Sequence, residues 1–358
     1  MIIRSKIKDY RLDVVDDVWA CQDRLAGMLT FNRAFYFVDA GLRGLYKNQL
    51  NGFTGKSFVL PIEADEHNKS YLKLADYYRA LIEAGFTRHD VLVTFGGGIL
   101  QDISGFIAST LYRGLKWVYV PTTLLAQADS CIGSKTSINF GDVKNLIGTF
   151  YPPDIILLDV AFTRTLKPCD FNSGLGEIIK FHLLSDTRGH ARLNQYLEGG
   201  DLRGPLFKDI IFSTLEIKKS YFESDEFDTG RRNLLNYGHC FGHALESASH
   251  FAIAHGEAVM VGMGFANLLA FKRGLMSKSL YEELEDVLCR FYPAFDLGAI
   301  SVEALIGHMK KDKKRVRADL TMIMLRAIGD AGKYDDIKEE EIRWVFAEFV
   351  QHYPQVQV

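Results

Sequence analysis

The sequence predicts a two-domain α/β protein: an N-terminal domain built on a Rossmann-like parallel sheet over residues 1–168, followed by a mainly α-helical domain over residues 169–358. Three observations carry this reading. The chain has 358 residues, beyond the size at which one hydrophobic core usually keeps growing. Its first half alternates short apolar runs with helical patterns, as the βα units of a parallel sheet do. From about residue 171 onward, long stretches with a 3.6-residue period take over and strand signals become scarce.

In chain order, residues 34–38, 57–60, 91–95, 117–120 and 155–158 read as buried strands, each followed by polar or glycine-containing sequence. Pro152, Pro153 and Pro168 punctuate the end of this region. Helical periodicity then covers 174–185, 206–223, 234–249, 256–273 and 280–290, with one weak strand signal at 320–325. The cleft between two such domains is the default place for an active site.

Composition narrows the class of function. Apolar residues make up 47% and charged residues 24%, as in a soluble globular protein. A net charge of −3 gives no bulk electrostatic case for nucleic acid or an anionic membrane. The N-terminus lacks the apolar core of a signal peptide, and the most apolar stretch, 251–271, contains His255, Glu257 and several glycines. The five cysteines are scattered without metal spacing, which fits reduced thiols in a cytoplasmic protein.

Two local patterns carry chemistry. The run 91–95 leads directly into Gly96, Gly97 and Gly98 and then a helix start with Asp102. Glycines let a phosphate approach the backbone, and the helix N-terminus supplies N–H donors, so a dinucleotide pyrophosphate suits the turn. Asp39 closes the strand upstream, where an acid can bind a ribose hydroxyl or simply end a turn. Glu66 and Lys69 lie in a polar loop, where a solvated pair is the plainer reading.

The second pattern is NYGHCFGHALE at 236–246 followed by HGE at 255–257. His239 and His243 stand four apart on one helix face, and His255 opens the next helical run. Glu177, in the apolar stretch GLGEIIK with Lys180 one turn later, is a candidate carboxylate partner. Two imidazoles and one carboxylate leave an open position on a metal. His243 is a third ligand, a general base or a packed polar residue. Cations and amides also recur beside small or apolar residues: Arg113, Lys135, Lys144, Asn145, Lys180, Lys218 and Arg232. Together they suggest a cavity for a polyanion. The run 310–315 reads as a solvated charged face from which one lysine can reach a cleft.

The motifs GGGILQDISGF, YRGLKWVYVPTTLLAQADS, KNLIGTFYPP, GLGEIIK, RRNLLNYGHCFGHALE and HGEAVMVGM, taken in order, resemble the 3-dehydroquinate synthase and sugar-phosphate-cyclase family over residues 35–325. The resemblance implies NAD on Gly97, Gly98, Asp102, Asp39, Glu66, Lys69, Thr122 and Thr123, with Asp129, Lys135 and Lys144 nearby. It implies zinc, or cobalt, on Glu177, His239 and His255. Substrate contacts would fall on Asp129, Lys135, Lys144, Asn145, Lys180, Lys218, Arg232, Asn236, His243 and Lys313 or Lys314, with His243 doing acid–base work. It further implies a homodimer in which Arg113 enters the neighbouring subunit's site.

The implied reaction is a phosphate-eliminating cyclisation of 3-deoxy-arabino-heptulosonate 7-phosphate, a carbon–oxygen lyase step of aromatic amino-acid biosynthesis in which NAD is regenerated. The chain departs from the family in the loop after Asp129. Ser134 replaces a glycine beside Lys135, and Phe140 and Gly141 replace a His-Pro pair. These departures keep two alternatives in view: a cyclase of secondary metabolism acting on another sugar phosphate, and an NAD- and metal-dependent polyol dehydrogenase. The anion-binding set favours the cyclases, because a neutral polyol needs no such cage.

Overall fold

The structure is a computed structural model and describes residues 1–141, 143–310 and 320–353. It divides into two compact units, Met1–Leu166 with Phe222–Glu226, and Lys167–Tyr221 with Phe227–Val358.

The first unit holds β1 (Ile2–Ile3), β2 (Tyr10–Val15), α1 (Gln22–Met28), β3 (Ala34–Asp39), α2 (Ala40–Leu45), α3 (Lys47–Thr54), β4 (Val59–Ile62), α4 (Tyr71–Glu83), β5 (Val91–Gly96), α5 (Gly98–Thr110), β6 (Lys116–Pro121), β7 (Ile138–Phe140), β8 (Val143–Ile147) and β9 (Ile155–Asp159). Seven of these strands form one sheet in the order β1-β2-β9-β6-β5-β3-β4. Only β1 pairs antiparallel; the other neighbours are parallel. β5 lies inside the sheet, and all six of its residues are buried, which explains why its sequence, Thr94 apart, is a near-continuous apolar run rather than alternating. Val91, Val93 and Phe95 face a core that includes Val18, Leu25, Leu50 and Phe53, with Trp19 stacked on Phe95 at 5.6 Å. β7 and β8 form a separate hairpin.

The chain runs from β3 to β4 on one side of β3 and from β5 to β6 on the other. The adjacent carboxyl ends of β3 and β5, at Asp39 and Gly96, therefore mark the point where strand order reverses, the usual ligand crevice of an open parallel sheet.

The second unit holds α6 (Pro168–Leu183), α7 (Thr187–Glu198), most of α8 (Phe207–Ser224), α9 (His239–Ala248), α10 (His255–Lys272), α11 (Lys278–Leu288), α12 (Val302–Lys310), the hairpin β10 (Leu320–Ala327) and β11 (Asp330–Ile337), and α13 (Glu339–His352). α10 is buried on all sides from Gly256 to Ala270, so its apolar run marks a core helix. Among the described residues no helix is long and apolar enough to cross a membrane.

Among the boundaries that differ from the sequence reading, two have a clear physical reason. α6 starts at Pro168 rather than near 174, because a proline at the first helical position gives up an N–H that has no partner there anyway. The periodic stretch 234–249 is two pieces: a 3₁₀ turn, Arg231–Asn236, and α9. Gly238 separates them with φ of +78°, a conformation that a side chain disfavours.

Candidate active site

Three helices of the second unit converge through glycine. Gly256 on α10 donates its N–H to Ser173 Oγ of α6 at 2.9 Å, and a Cβ at Gly256 or Gly176 would fall on the backbone of the other helix. That close approach brings Glu177, on α6, to His255, the first residue of α10. His239 opens α9 after the left-handed Gly238, and His243 follows one turn later.

Glu177 is fully buried; its Oε1 lies 3.7 Å from His239 Nε2 and 3.6 Å from His255 Nε2. Neither of its oxygens accepts a well-directed hydrogen bond, and Lys180 Nζ forms an ion pair with Oε2. Ring nitrogens of His239, His243 and His255 lie within 4.8 Å of one another. The Nδ1 atoms of the two inner histidines are engaged elsewhere, His239 with the Tyr237 carbonyl at 3.1 Å and His255 with Glu246 Oε2 at 3.2 Å. Their Nε2 atoms are thus left to face Glu177. This donor set fits a divalent cation of zinc type.

The charges agree with that fit. Burial pushes the Glu177 carboxyl up, but Lys180 and then His255 outweigh it and hold the group well below its usual range. Burial, joined by Lys180 and the neighbouring imidazoles, holds His239 far below its ordinary value, hence neutral. Burial lowers His255, but Glu177 and Glu246 outweigh it and push the imidazole up to about 10. A proton and a cation would therefore compete for His255.

A cavity of about 100 Å³ adjoins this cluster, lined by Asn233, Asn236, His239, Cys240, His243 and Lys333 together with apolar residues of α12 and β10. Three cations predicted from the sequence are buried in the same unit. Lys180 and Lys218 flank the Phe181 ring at 4.9 and 5.3 Å, and Arg232 is 9% exposed on the 3₁₀ turn that carries Asn236. Lys313 and Lys314 lie outside the described residues.

In the first unit β5 ends at Gly96, Gly97 caps α5 without a side-chain hydrogen bond, and the first N–H groups of α5 open toward the switch point. A Cβ on Gly97 would come within 2.9 Å of Thr123 Cγ2 and would have to push that side chain aside. Thr122 donates its N–H to the Gly96 carbonyl at 3.1 Å. These features fit a pyrophosphate at the turn. Asp39 accepts the N–H groups of Gly41 and Leu42 and so caps α2.

Asp102 lies in the second turn of α5. It accepts Lys69 Nζ at 3.1 Å and the Ser137 N–H at 2.9 Å. Burial raises its carboxyl to about 6 despite both contacts. Lys69 is 5% exposed rather than solvated, and it also donates to Asn145 Oδ1 at 2.8 Å. Asn139 joins the set: its Nδ2 donates to Glu66 Oε2 at 2.7 Å, and its Oδ1 accepts the Asn145 N–H at 2.9 Å. Lys144 approaches Glu66 at 4.0 Å. Lys135 and Lys144 are exposed, and Asp129 sits in the turn Ala126–Ser130. Arg113 is exposed in a run of positive φ, with Tyr112 at 52°, Arg113 at 65° and Gly114 at 129°.

Sequence reasoning missed Glu246 and Asn139 as parts of these clusters. Glu246 stood in the quoted histidine motif, three residues after His243, and that spacing was the available signal. Asn139 gave none beyond its place in the loop that departs from the family.

A Rossmann-like unit with a glycine turn at its switch point, together with a helical unit carrying an imidazole–carboxylate cluster, defines the dehydroquinate-synthase-like fold class. The solved structure of 2-epi-5-epi-valiolone synthase from Streptomyces hygroscopicus, with NAD⁺ and Zn²⁺ bound, matches with a TM-score of 0.86 and 27% identity over 97% of this chain and 98% of that one. A 2-deoxy-scyllo-inosose synthase complexed with carbaglucose-6-phosphate, NAD⁺ and Co²⁺ shares the fold, with a TM-score of 0.82 and 22% identity over 97% and 99%. Residues 59–173 match the family 3-dehydroquinate synthase N-terminal, and residues 174–315 match 3-dehydroquinate synthase C-terminal. The 3-dehydroquinate synthase of Dictyoglomus thermophilum is 35% identical over 320 residues, 87% of this chain and 88% of that one. The chain belongs to the 3-dehydroquinate synthase family.

Proposed function

We propose that the chain is a sugar-phosphate cyclase that converts 3-deoxy-arabino-heptulosonate 7-phosphate to 3-dehydroquinate and phosphate. The observation that carries this reading is the pairing, in one helical unit, of the Glu177–His239–His255 cluster with the buried cations Lys180, Lys218 and Arg232. Cations beside the cluster suit a substrate that carries phosphate and carboxylate better than a neutral polyol.

When bound, NAD supplies a reversible hydride acceptor and the divalent metal a Lewis acid for a substrate hydroxyl. Glu177, His239 and His255 hold the metal, and the turn at Gly96–Gly98 with the open N–H groups of α5 takes the pyrophosphate. Asp39, Glu66, Lys69, Asp102, Thr122 and Thr123 orient the rest of the dinucleotide. Lys180, Lys218 and Arg232, with the Asn236 amide in the same unit, bind the phosphate and carboxylate of the substrate. Lys135, Lys144 and Asn145 are further anion contacts and Asp129 an acceptor for a substrate hydroxyl, as the family resemblance implies. His243, on the open side of the cluster, moves a proton at the substrate hydroxyl. Arg113 serves a neighbouring subunit in a homodimer, and the protein works in the cytoplasm.

A related cyclase acting on a different sugar phosphate is the second reading. It is favoured by Ser134, whose buried hydroxyl has no hydrogen-bond partner beside Lys135, and by the half-exposed Phe140 packed edge-on against Tyr71. Pure protein supplied with NAD and zinc should release phosphate from the heptulosonate phosphate without net NADH. Preference for a neutral sugar phosphate would favour the second reading, and stoichiometric NADH from a polyol would overturn both.

A further inference from the structure

Glu246 stands where a helix does not favour an acid. It lies in the last turn of α9, which ends at Ala248, and the carbonyls there carry partial negative charge. Its partner is placed against the same rule. His255 is the first residue of α10, follows Ala254 without a side-chain cap, and meets the positive end of the helix. Yet the two meet across the turn between the helices. Glu246 Oε2 is 3.2 Å from His255 Nδ1, with only 15% of the Glu246 side chain exposed. The imidazole thus has a carboxylate on each nitrogen, Glu246 at Nδ1 and Glu177 at Nε2.

We propose that Glu246 is a positioning residue of the metal site. It holds the proton on Nδ1, fixes the plane of the ring, and makes Nε2 a better donor toward the cation. This rests on the reading of Glu177, His239 and His255 as metal ligands. A ligating histidine needs its second nitrogen engaged, and a carboxylate there raises its basicity more than a neutral acceptor does. His239 has only the Tyr237 carbonyl in that role, which no side-chain substitution removes. Glu246 is the support that can be tested. The turn also has a backbone bond of its own, in which the Glu246 carbonyl accepts the Phe251 N–H at 2.8 Å.

The test compares metal-free wild type, Glu246→Gln, Glu246→Ala and His255→Ala. Zinc is titrated against a chelator of known affinity, the visible absorption of the Co²⁺ form is recorded, and melting is measured on the metal-free proteins. Glu246→Ala should weaken zinc binding roughly 10- to 100-fold. Glu246→Gln, which keeps an acceptor oxygen but not the charge, should weaken it less. Both should alter the Co²⁺ spectrum, and their loss of zinc affinity should exceed what any fall in metal-free melting accounts for. Wild-type zinc affinity in both variants overturns the proposal, as does an equal loss in both that tracks an equal fall in metal-free melting. If Glu246→Ala does not fold, the Glu246→Gln affinity and spectrum decide. Failure of wild type to bind zinc, or full retention of zinc by His255→Ala, instead overturns the ligand assignment beneath the proposal.

Discussion

Gly256 rests on Ser173: the α10 residue donates its N–H to the α6 hydroxyl at 2.9 Å, and no room is left for a Cβ against the Ser173 backbone. The next residue back is His255, and Glu177 is one turn beyond Ser173, so the spacing of these two candidate ligands is set by this contact. Gly256→Ala must push backbone, not a flexible side-chain tip. It should destabilise the protein by about 1–3 kcal/mol and weaken zinc binding in the protein that still folds. Urea melts and a zinc titration check both effects.

His182 titrates against the fold. It is fully buried in α6, with Nδ1 at 2.9 Å from the Gly189 carbonyl and Nε2 at 3.2 Å from the Thr214 hydroxyl. Burial lowers its imidazole to about 4. Below its ordinary value near 6.5 the unfolded chain takes a proton that the folded one refuses. Its contribution is therefore complete above pH 6.5 and is lost as pH falls toward 4. The loss should amount to about 3 kcal/mol by pH 4. In urea melts at pH 7 and pH 4.5, a His182→Gln variant should show a smaller acid loss than wild type.

Arg232 and Lys218 separate the two cyclase readings. Both are nearly buried, and removing one partner of a desolvated charge pair is costly. Arg232→Ala should lower kcat/KM for the heptulosonate phosphate by roughly tenfold or more without loss of zinc. Lys218→Ala should harm that acid more than a neutral sugar phosphate of similar size. Steady-state kinetics with both substrates and metal analysis of each variant measure the difference.

The turn after α9 is strained in a way that can be relieved. His250 and Phe251 have φ of 51° and 63°, both in the left-handed region, and both are exposed. His250→Gly should stabilise the protein by about 0.5–1 kcal/mol. A small rise in melting temperature, with zinc affinity unchanged, is the expected result.

The parts of this molecule that could be read from its sequence are those encoded by local spacing. His239 and His243 announce a shared helix face by their separation alone, and Glu177 stands out as the acid in an apolar helix. The strands at 91–95 and 117–120 are almost entirely apolar because both their faces are covered. What could not be read depends on partners brought together by folding. Lys69 looked like a solvated loop residue, but Asp102 and Asn145 bury it from other segments. Glu246 meets His255 across a turn in which two non-glycine residues, His250 and Phe251, take positive φ, and no local spacing announces that turn. Lys135 and Lys144 looked like members of a buried cage; in the structure they are exposed, whereas Lys180, Lys218 and Arg232 are buried.

The close seating of Gly256 on α6 also orders events during folding. Glu177, His239 and His255 come from three separate helices, and the contact between α6 and α10 leaves little freedom in how they dock. His239, His243 and His255 lie on the neighbouring elements α9 and α10, but Glu177 reaches them only through this long-range packing, so a cation held by Glu177, His239 and His255 gains its full affinity only once α6 has docked. It rewards the finished fold, adding about 2.7 kcal/mol when free zinc stands at a hundred times its dissociation constant. A cell short of zinc would then hold a correctly folded but less durable pool of the protein, ready to be loaded without refolding.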